Sequence, residues 1–249
     1  MPEGDTVFRT AGRLRAALAG NTLVRSDFRV PRYATLDLSG QTVEEVGSYG
    51  KHLFVRTPTV SIHTHLKMEG EWRVFTPGQR WTKPAFTARL ILATAAAEAV
   101  GFALGTVEVL RREQEHTVTD RLGPDLLGPN WDAAEAVRRL LTEPDRPIGL
   151  ALLDQRNLAG IGNIYRSEIC FVERVDPRRP TGSVPDLPAL VDRAHRVLHS
   201  AAHDPPWRPY VYRRHRQPCR RCGTTLTQTL IGEGPDTERT IYFCTGCQE

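Results

Sequence analysis

LAGIGNIYRSE, residues 158–168, places Gly160 and Gly162 in a tight bend just ahead of a helix opened by Asn163. Glycines at such a junction let orphan backbone N–H groups and the positive end of the helix dipole face an anion at close range, as in a phosphate cradle. An ordinary helix–helix turn carries the same lettering, so the surroundings decide what the bend is for. Around it, WDAAEAVRRLL, IGLALLDQ, NIYRSEICFV and LPALVDRAHRVLHSA repeat apolar residues at helical spacing, with short Gly- or Pro-containing turns between them. The bend therefore belongs to a helical domain.

Upstream the texture changes. Between Thr22 and Leu110 the chain runs through LVRSDFRV, ATLDLSG, HLFVRTP, VSIHTHLKM, EWRVF, ARLILAT and GFALGTVEVL, short β-rich segments punctuated by Gly, Pro and Ser-Gly. That pattern predicts a β-sandwich or barrel. Ahead of it, Gly4-Asp5-Thr6 can cap a helix with apolar positions Val7, Ala11, Leu14 and Leu18 and a stop at Gly20. The turn-rich stretch from His116 to Asn130 is the expected junction. The fold class is α+β with two domains: an N-terminal helix plus β-sandwich (1–122), and a helical domain (123–217) carrying a cysteine-rich module (218–249). A chain of 249 residues has room for both.

Composition narrows the functions available. Hydrophobic residues at 40% and charged residues at 25% fit a globular chain, and the sequence has no apolar run of the roughly 18 residues a membrane span needs. Glu3 and Asp5 stand where a secretion signal would carry basic residues, so export by that route is not expected. A net charge of +4 permits an anionic partner. Lysine occurs only at Lys51, Lys67 and Lys83, which singles out those compact, titratable amines in a background of arginine.

The C-terminal module carries the strongest local signal. Cys219-Arg-Arg-Cys222 and Cys244-Thr-Gly-Cys247 flank a stretch able to form a β-hairpin, offering four thiolates to one tetrahedral zinc. Four sulfur ligands close the coordination sphere, so the expected zinc is structural and folds a segment too small for its own core. Cys170, at helical spacing, reads as a buried apolar thiol. Around the first knuckle, Arg208, Arg213, Arg214, Arg216, Arg220 and Arg221 interleave with Trp207, Tyr210 and Tyr212, and no acid falls between Pro205 and Ile231. Such a face suits nucleic acid.

MPEGD, GKHLFV, HLKMEGEW, LGPDLL, DQRNLAGIGNIYRSE, QPCRRC and ERTIYFCTGCQ, in that order, resemble the formamidopyrimidine-DNA glycosylase and endonuclease VIII family. The resemblance spans both ends and most of the chain. It implies a helix-two-turn-helix domain, a zinc-ribbon hairpin, and a base-excision-repair enzyme that is both DNA glycosylase and AP lyase on damaged double-stranded DNA. Removal of Met1 would leave Pro2 as a secondary amine able to attack C1′ of the damaged nucleoside. Glu3 is its acid/base partner. By the same resemblance Lys51 sits on a β-turn over the sugar, and Asn163 and Arg239 grip phosphates, contacts that position DNA without reading bases. Met68 fills the gap left by an extruded base. His65 and Lys67 flank it and are further candidates for DNA contact.

PEG at the start, and no long glycine-containing loop between the last long helix and Cys219, resemble the endonuclease VIII branch and imply oxidised pyrimidines as substrates, released through a Pro2 Schiff base and β,δ-elimination. An 8-oxoguanine glycosylase of the same fold and a non-catalytic damaged-DNA binder are the alternatives. The resemblance also implies a cytoplasmic, nucleoid-associated monomer with no membrane partner and no nucleotide cofactor. Asp5-Thr6 replaces the family's common Pro-Glu. The 21 residues between the knuckles exceed its usual interval, adding Glu233, Asp236 and Glu238 to the hairpin.

Overall fold

A computed structural model describes residues 2–204, 208–234 and 237–249; Met1, Trp207 and Asp236 lie outside the described residues. The chain divides into two compact units, Thr6–Asp120 with Pro2, and Arg121–Glu249 with Glu3–Asp5.

In the first unit the helix α1 (Gly4–Leu18) precedes two four-stranded antiparallel sheets. One has the order β1 (Arg25–Phe28), β6 (Ala88–Ala93), β7 (Glu98–Phe102), β5 (Glu71–Phe75). The other runs β2 (Glu45–Tyr49), β3 (His52–Arg56), β4 (Val60–His65), β8 (Thr106–Arg111). Their inward residues, among them Leu53, Val55, Ile62, Leu90 and Leu92, form one core with Val7, Ala11, Leu14 and Leu18 of α1. Burying each Val or Leu there contributes about 1.5–3 kcal/mol. The i, i+4, i+7, i+11 stripe of α1 is thus the face the sequence predicted.

Two readings of this region need correction. ATLDLSG, expected as a strand, is a turn. The Asp37 carboxylate accepts from the Ser39 N–H at 2.8 Å and from the hydroxyls of Ser39 and Ser26 at 2.6 and 3.1 Å, a local bonding pattern that competes with a ladder. GFALGTVEVL is not one strand but the end of β7 and most of β8, broken at Ala103, where φ is +47°. The sequence also gave no sign of β2.

The outward face of the β2-β3-β4-β8 sheet is itself covered. Phe54 and Ser61 are fully buried, and Arg56 stacks over Phe54 while bonding Glu115. Glu115 lies just ahead of the short helix α2 (His116–Thr119).

The second unit holds α3 (Ala133–Leu140), the single turn α4 (Ile148–Ala151), α5 (Asn163–Val172) and α6 (Leu187–His203). Asp132 and Asp186 cap α3 and α6 by accepting from the N–H groups of Glu135 and Ala189. The core joins Leu140, Ile148, Leu152, Ile161, Ile169, Leu190 and Leu198. A hairpin, β9 (Thr227–Ile231) and β10 (Arg239–Phe243), completes the unit. Phe171 of α5 packs with Val211, Cys219, Leu226 and Cys244, so the cysteine module shares a small core with the helix after the glycine bend. No helix among the described residues is long and apolar enough to cross a membrane.

Candidate active site and metal centre

The bend before α5 does receive an anion, but one supplied by the chain itself. Glu3 is 1% exposed. Its carboxylate accepts from the N–H of Gly162 at 2.8 Å, of Ile164 at 2.7 Å and of Tyr165 at 3.3 Å. These are the orphan donors of the α5 N-terminus, so the predicted phosphate cradle is filled by a side chain. The Gly4 N–H donates to the Gly160 carbonyl at 2.9 Å and locks the same segment down. Gly162 has to be glycine, because a Cβ there would lie 2.4 Å from the Glu3 carboxyl carbon.

Pro2, the residue before this clamp, lines an open cavity of about 930 Å³ in the first unit. Thr6, Thr10 and Arg13 of α1 face it, with Glu71, Trp72 and Arg73 of β5 and Thr82. Thr6 lines this cavity, and Asp5 is buried.

Lys51 occupies the turn between β2 and β3, with Gly50 at φ +54°. Near it stand His52, His63 and His65: the rings of His52 and His63 stack at 5.0 Å, and His65 meets His52 edge-on at 5.1 Å. Burial, with Lys67, Lys51 and His63 adding to it, lowers the His65 pKa to about 4. Met68, on the turn after β4, is 67% exposed and does not serve the core. Lys83 is tied to Glu71 by an ion pair at 2.6 Å.

Asn163 opens α5. Its amide donates to the Thr240 carbonyl at 2.8 Å and accepts from Arg166 Nε at 2.9 Å. Arg239 is exposed on β10, and one of its guanidinium nitrogens donates to the Glu238 carbonyl at 2.7 Å. Arg166 and Glu168 were not singled out from the sequence, yet both are fully buried. Arg166 also donates to the carbonyls of Gly149 and Arg239, at 3.1 and 3.3 Å, joining α4, α5 and β10; burial lowers its pKa to about 10. Glu168 accepts from the N–H groups of Tyr210, Val211 and Tyr212 at 2.7–2.9 Å, fixing the lead-in to the cysteine module, and burial raises its pKa. Both lie inside RSE of the opening motif, where nothing in the local spacing marks them as buried.

The four cysteine sulfurs lie within 4.8 Å of one another. Cys219 and Cys247 are 3.8 Å apart and Cys222 and Cys244 3.5 Å, too long for disulfides. A tetrahedron with metal–sulfur bonds of about 2.3 Å has edges near 3.8 Å, so the donor set and its spacing fit one four-coordinate ion. The Arg221 N–H points at the Cys219 sulfur at 3.4 Å, and a Cβ on Gly246 would lie 2.4 Å from Thr224 Oγ1.

Part of the arginine run is structural. Arg221 donates to the Phe171 carbonyl at 3.1 Å and stacks over its ring; Arg214 holds the Pro218 carbonyl at 3.0 Å; Arg220 reaches the Pro209 carbonyl at 3.3 Å. Glu233 is paired with Arg146 at 2.6 Å, so this added acid of the long hairpin already has a cationic partner. Cys170 is fully buried, and burial pushes its thiol up to about 12, as its apolar reading requires.

The formamidopyrimidine-DNA glycosylase N-terminal domain profile matches residues 1–106 and the helix-two-turn-helix domain profile residues 122–204; the chain belongs to the formamidopyrimidine-DNA glycosylase and endonuclease VIII family, on its endonuclease VIII-like side. It is 48% identical to the probable endonuclease 8 2 of Streptomyces coelicolor, over the whole of this chain and 94% of that protein. It is also 48% identical to the DNA-(apurinic or apyrimidinic site) lyase Nei2 of Mycolicibacterium smegmatis, over the whole of this chain and 99% of the relative. The fold matches the Lactococcus lactis formamidopyrimidine-DNA glycosylase bound non-covalently to DNA containing an AP site, with a TM-score of 0.85 over 99% of both chains at 21% identity.

Proposed function

We propose that this chain is a bifunctional DNA glycosylase and AP lyase of base excision repair that removes oxidised pyrimidines from double-stranded DNA. One observation carries the reading: the residue after Pro2 is a buried carboxylate fastened to the α5 N-terminus by three amides. A helix lead-in alone has no use for that burial.

Once Met1 is removed, the Pro2 nitrogen lone pair attacks C1′ as the C1′–N bond to the base breaks, and the base leaves with the electron pair and takes up a proton. The proton lost from the Pro2 nitrogen passes to the Glu3 carboxylate, which delivers it to the ring oxygen as the sugar opens to the iminium. Loss of a C2′ proton expels the 3′ phosphate, a second elimination expels the 5′ phosphate, and water releases Pro2. Lys51 supplies positive charge beside the sugar. Asn163 and Arg239 hold the backbone phosphates, and Met68, exposed on its turn, enters the stack where the base has left. Zinc is the metal we assign to Cys219, Cys222, Cys244 and Cys247, in a purely structural role. The bacterial relatives support action in the cytoplasm, and we assign a monomer.

The test is a panel of duplexes carrying thymine glycol, 5-hydroxyuracil or 8-oxoguanine, with borohydride trapping on abasic DNA. Excision of the two pyrimidines and a covalent adduct are expected. Equal or faster release of 8-oxoguanine would reverse the substrate assignment, and no adduct from fully processed protein would exclude the Pro2 chemistry.

A further inference from the structure

The connection between β9 and β10, residues 232–238, is the lengthened part of the zinc hairpin, and none of the roles above uses it. The ladder of the two strands ends at the pair Ile231–Arg239, so Arg239 is the first ladder residue after the connection. The two legs pinch together at once, since a Cβ on Gly232 would lie 2.6 Å from the Glu238 backbone. Beyond the pinch, Thr237 Oγ1 accepts from the N–H groups of Glu233 and Gly234 at 3.1 Å each and donates to the Gly234 carbonyl at 2.9 Å. The backbone at Glu233 is thereby tied to the leg that leads into Arg239.

The stem of the hairpin rests on the helices of the second unit. Ile231 and Ile241 pack on Leu150 of α4, while Arg166 and Asn163 of α5 donate to the carbonyls of Arg239 and Thr240. Above the stem the attachment is ionic. Glu233 Oε1 lies 2.6 Å from Arg146 Nη2, and Arg146 Nη1 lies 2.8 Å from both Asp154 and Glu143. The Arg146 side chain is only 15% exposed, and its carbonyl accepts from the Thr181 N–H and hydroxyl at 2.9 and 2.7 Å. Glu233 therefore meets a guanidinium already held in place, which lowers the entropy cost that makes most surface ion pairs weak. Leu150, Leu153, Gly232 and Thr237 border a cavity of about 220 Å³ beside the pair, so the pair reaches across a gap.

We propose that Arg146 and Glu233 form a clasp that holds the lengthened connection to the helices and so presents Arg239 to a DNA phosphate; both are positioning residues. The proposal rests on the reading of Arg239 as a phosphate contact. It explains why a hairpin that meets a polyanion carries an added acid: a carboxylate beside the phosphates would repel them, and one spent on Arg146 does not. The two views of Glu233 predict opposite signs. A repelling acid weakens binding and its removal tightens it, whereas a clasp strengthens binding and its removal loosens it.

The experiment measures, by fluorescence anisotropy at about 0.1 M salt, the affinity of the zinc-loaded protein for a duplex holding a tetrahydrofuran abasic analogue. Wild type, Glu233→Gln, Arg146→Gln, the double variant and Arg239→Ala are compared, together with Glu233→Gln in the Arg239→Ala background. Glu233→Gln, a change at an exposed side chain, should weaken binding about threefold. The double variant should bind no more weakly than Arg146→Gln alone, because the two residues act as one unit. Adding Glu233→Gln to Arg239→Ala should change nothing, an outcome that a general loss of structure would not give. In the free protein, hydrogen exchange of the segment 231–241 should be faster in Glu233→Gln, with zinc content unchanged. Binding by Glu233→Gln as tight as or tighter than wild type, a further loss in the Arg239→Ala background, or unchanged exchange would overturn the clasp. If Arg239→Ala itself binds like wild type, the phosphate reading of Arg239 fails and the consequence for DNA fails with it, while the exchange result still decides whether Glu233 holds the hairpin.

Discussion

At the bend before α5 and at the cysteine knuckles, glycine-bearing turns bring backbone N–H groups against anionic side-chain atoms, and the charge is settled differently in each. At the bend, the Gly162, Ile164 and Tyr165 amides and the helix dipole offset the Glu3 carboxylate, so the site is complete within the chain. At the knuckles, four sulfurs converge within 4.8 Å with the Arg221 amide as one N–H donor to them, and only a cation can balance four thiolates. A helix terminus can hold one negative charge; four need a metal. Under the proposed function the first site would use its anion for chemistry, while the second would hold a metal that serves folding.

Metal removal should break that comparison most severely. Chelation, or Cys244→Ser, should unfold residues 218–249 cooperatively, because structural zinc sites of this kind contribute about 10–16 kcal/mol to folding. Circular dichroism and zinc content should change together, while the first unit keeps its melting transition. Gly162→Ala comes next. The new Cβ would push against the Glu3 carboxyl and destabilise the protein by about 1–3 kcal/mol, measured by urea unfolding, with excision falling in step. Glu3→Gln touches both chemistry and fold: excision should drop about 10²–10⁴-fold, read in single-turnover assays, and the melting temperature should also fall, since an amide has only one oxygen for these donors. Asp132→Ala, an N-cap remote from both sites, should cost about 1 kcal/mol and leave excision unchanged.

His65 sharpens the contrast from the other unit. Its pKa lies near 4 in the fold, below the ordinary 6.5, so the unfolded chain binds the extra proton first. Its contribution to stability is present above about pH 6.5 and is lost as pH falls toward 4, measurable as a sloping urea midpoint that flattens in His65→Gln.

Much of this was legible because the residues speak through spacing. The α1 stripe, the helices around the bend and the paired knuckles are periodic or fixed-interval patterns, and they stand where the spacing put them. What stayed hidden depends on partners distant in sequence. Arg166 and Glu168 look like a wet helix face until β10 and the Tyr210–Tyr212 backbone cover it. β2 contains Gly47, a poor strand former; a Cβ there would come within 2.7 Å of an Arg56 guanidinium nitrogen, which would have to shift. The glycine bend was read as an anion site, but no local pattern could say that Glu3, some 160 positions away, would fill it.

The most direct test of the proposed chemistry is peptide mapping by mass spectrometry of the borohydride-reduced complex with abasic DNA. The sugar remnant should sit on the N-terminal peptide, at the nitrogen of a Pro2 freed of Met1. A remnant on Lys51 or any other side chain, or an adduct formed by protein that still carries Met1, would contradict it.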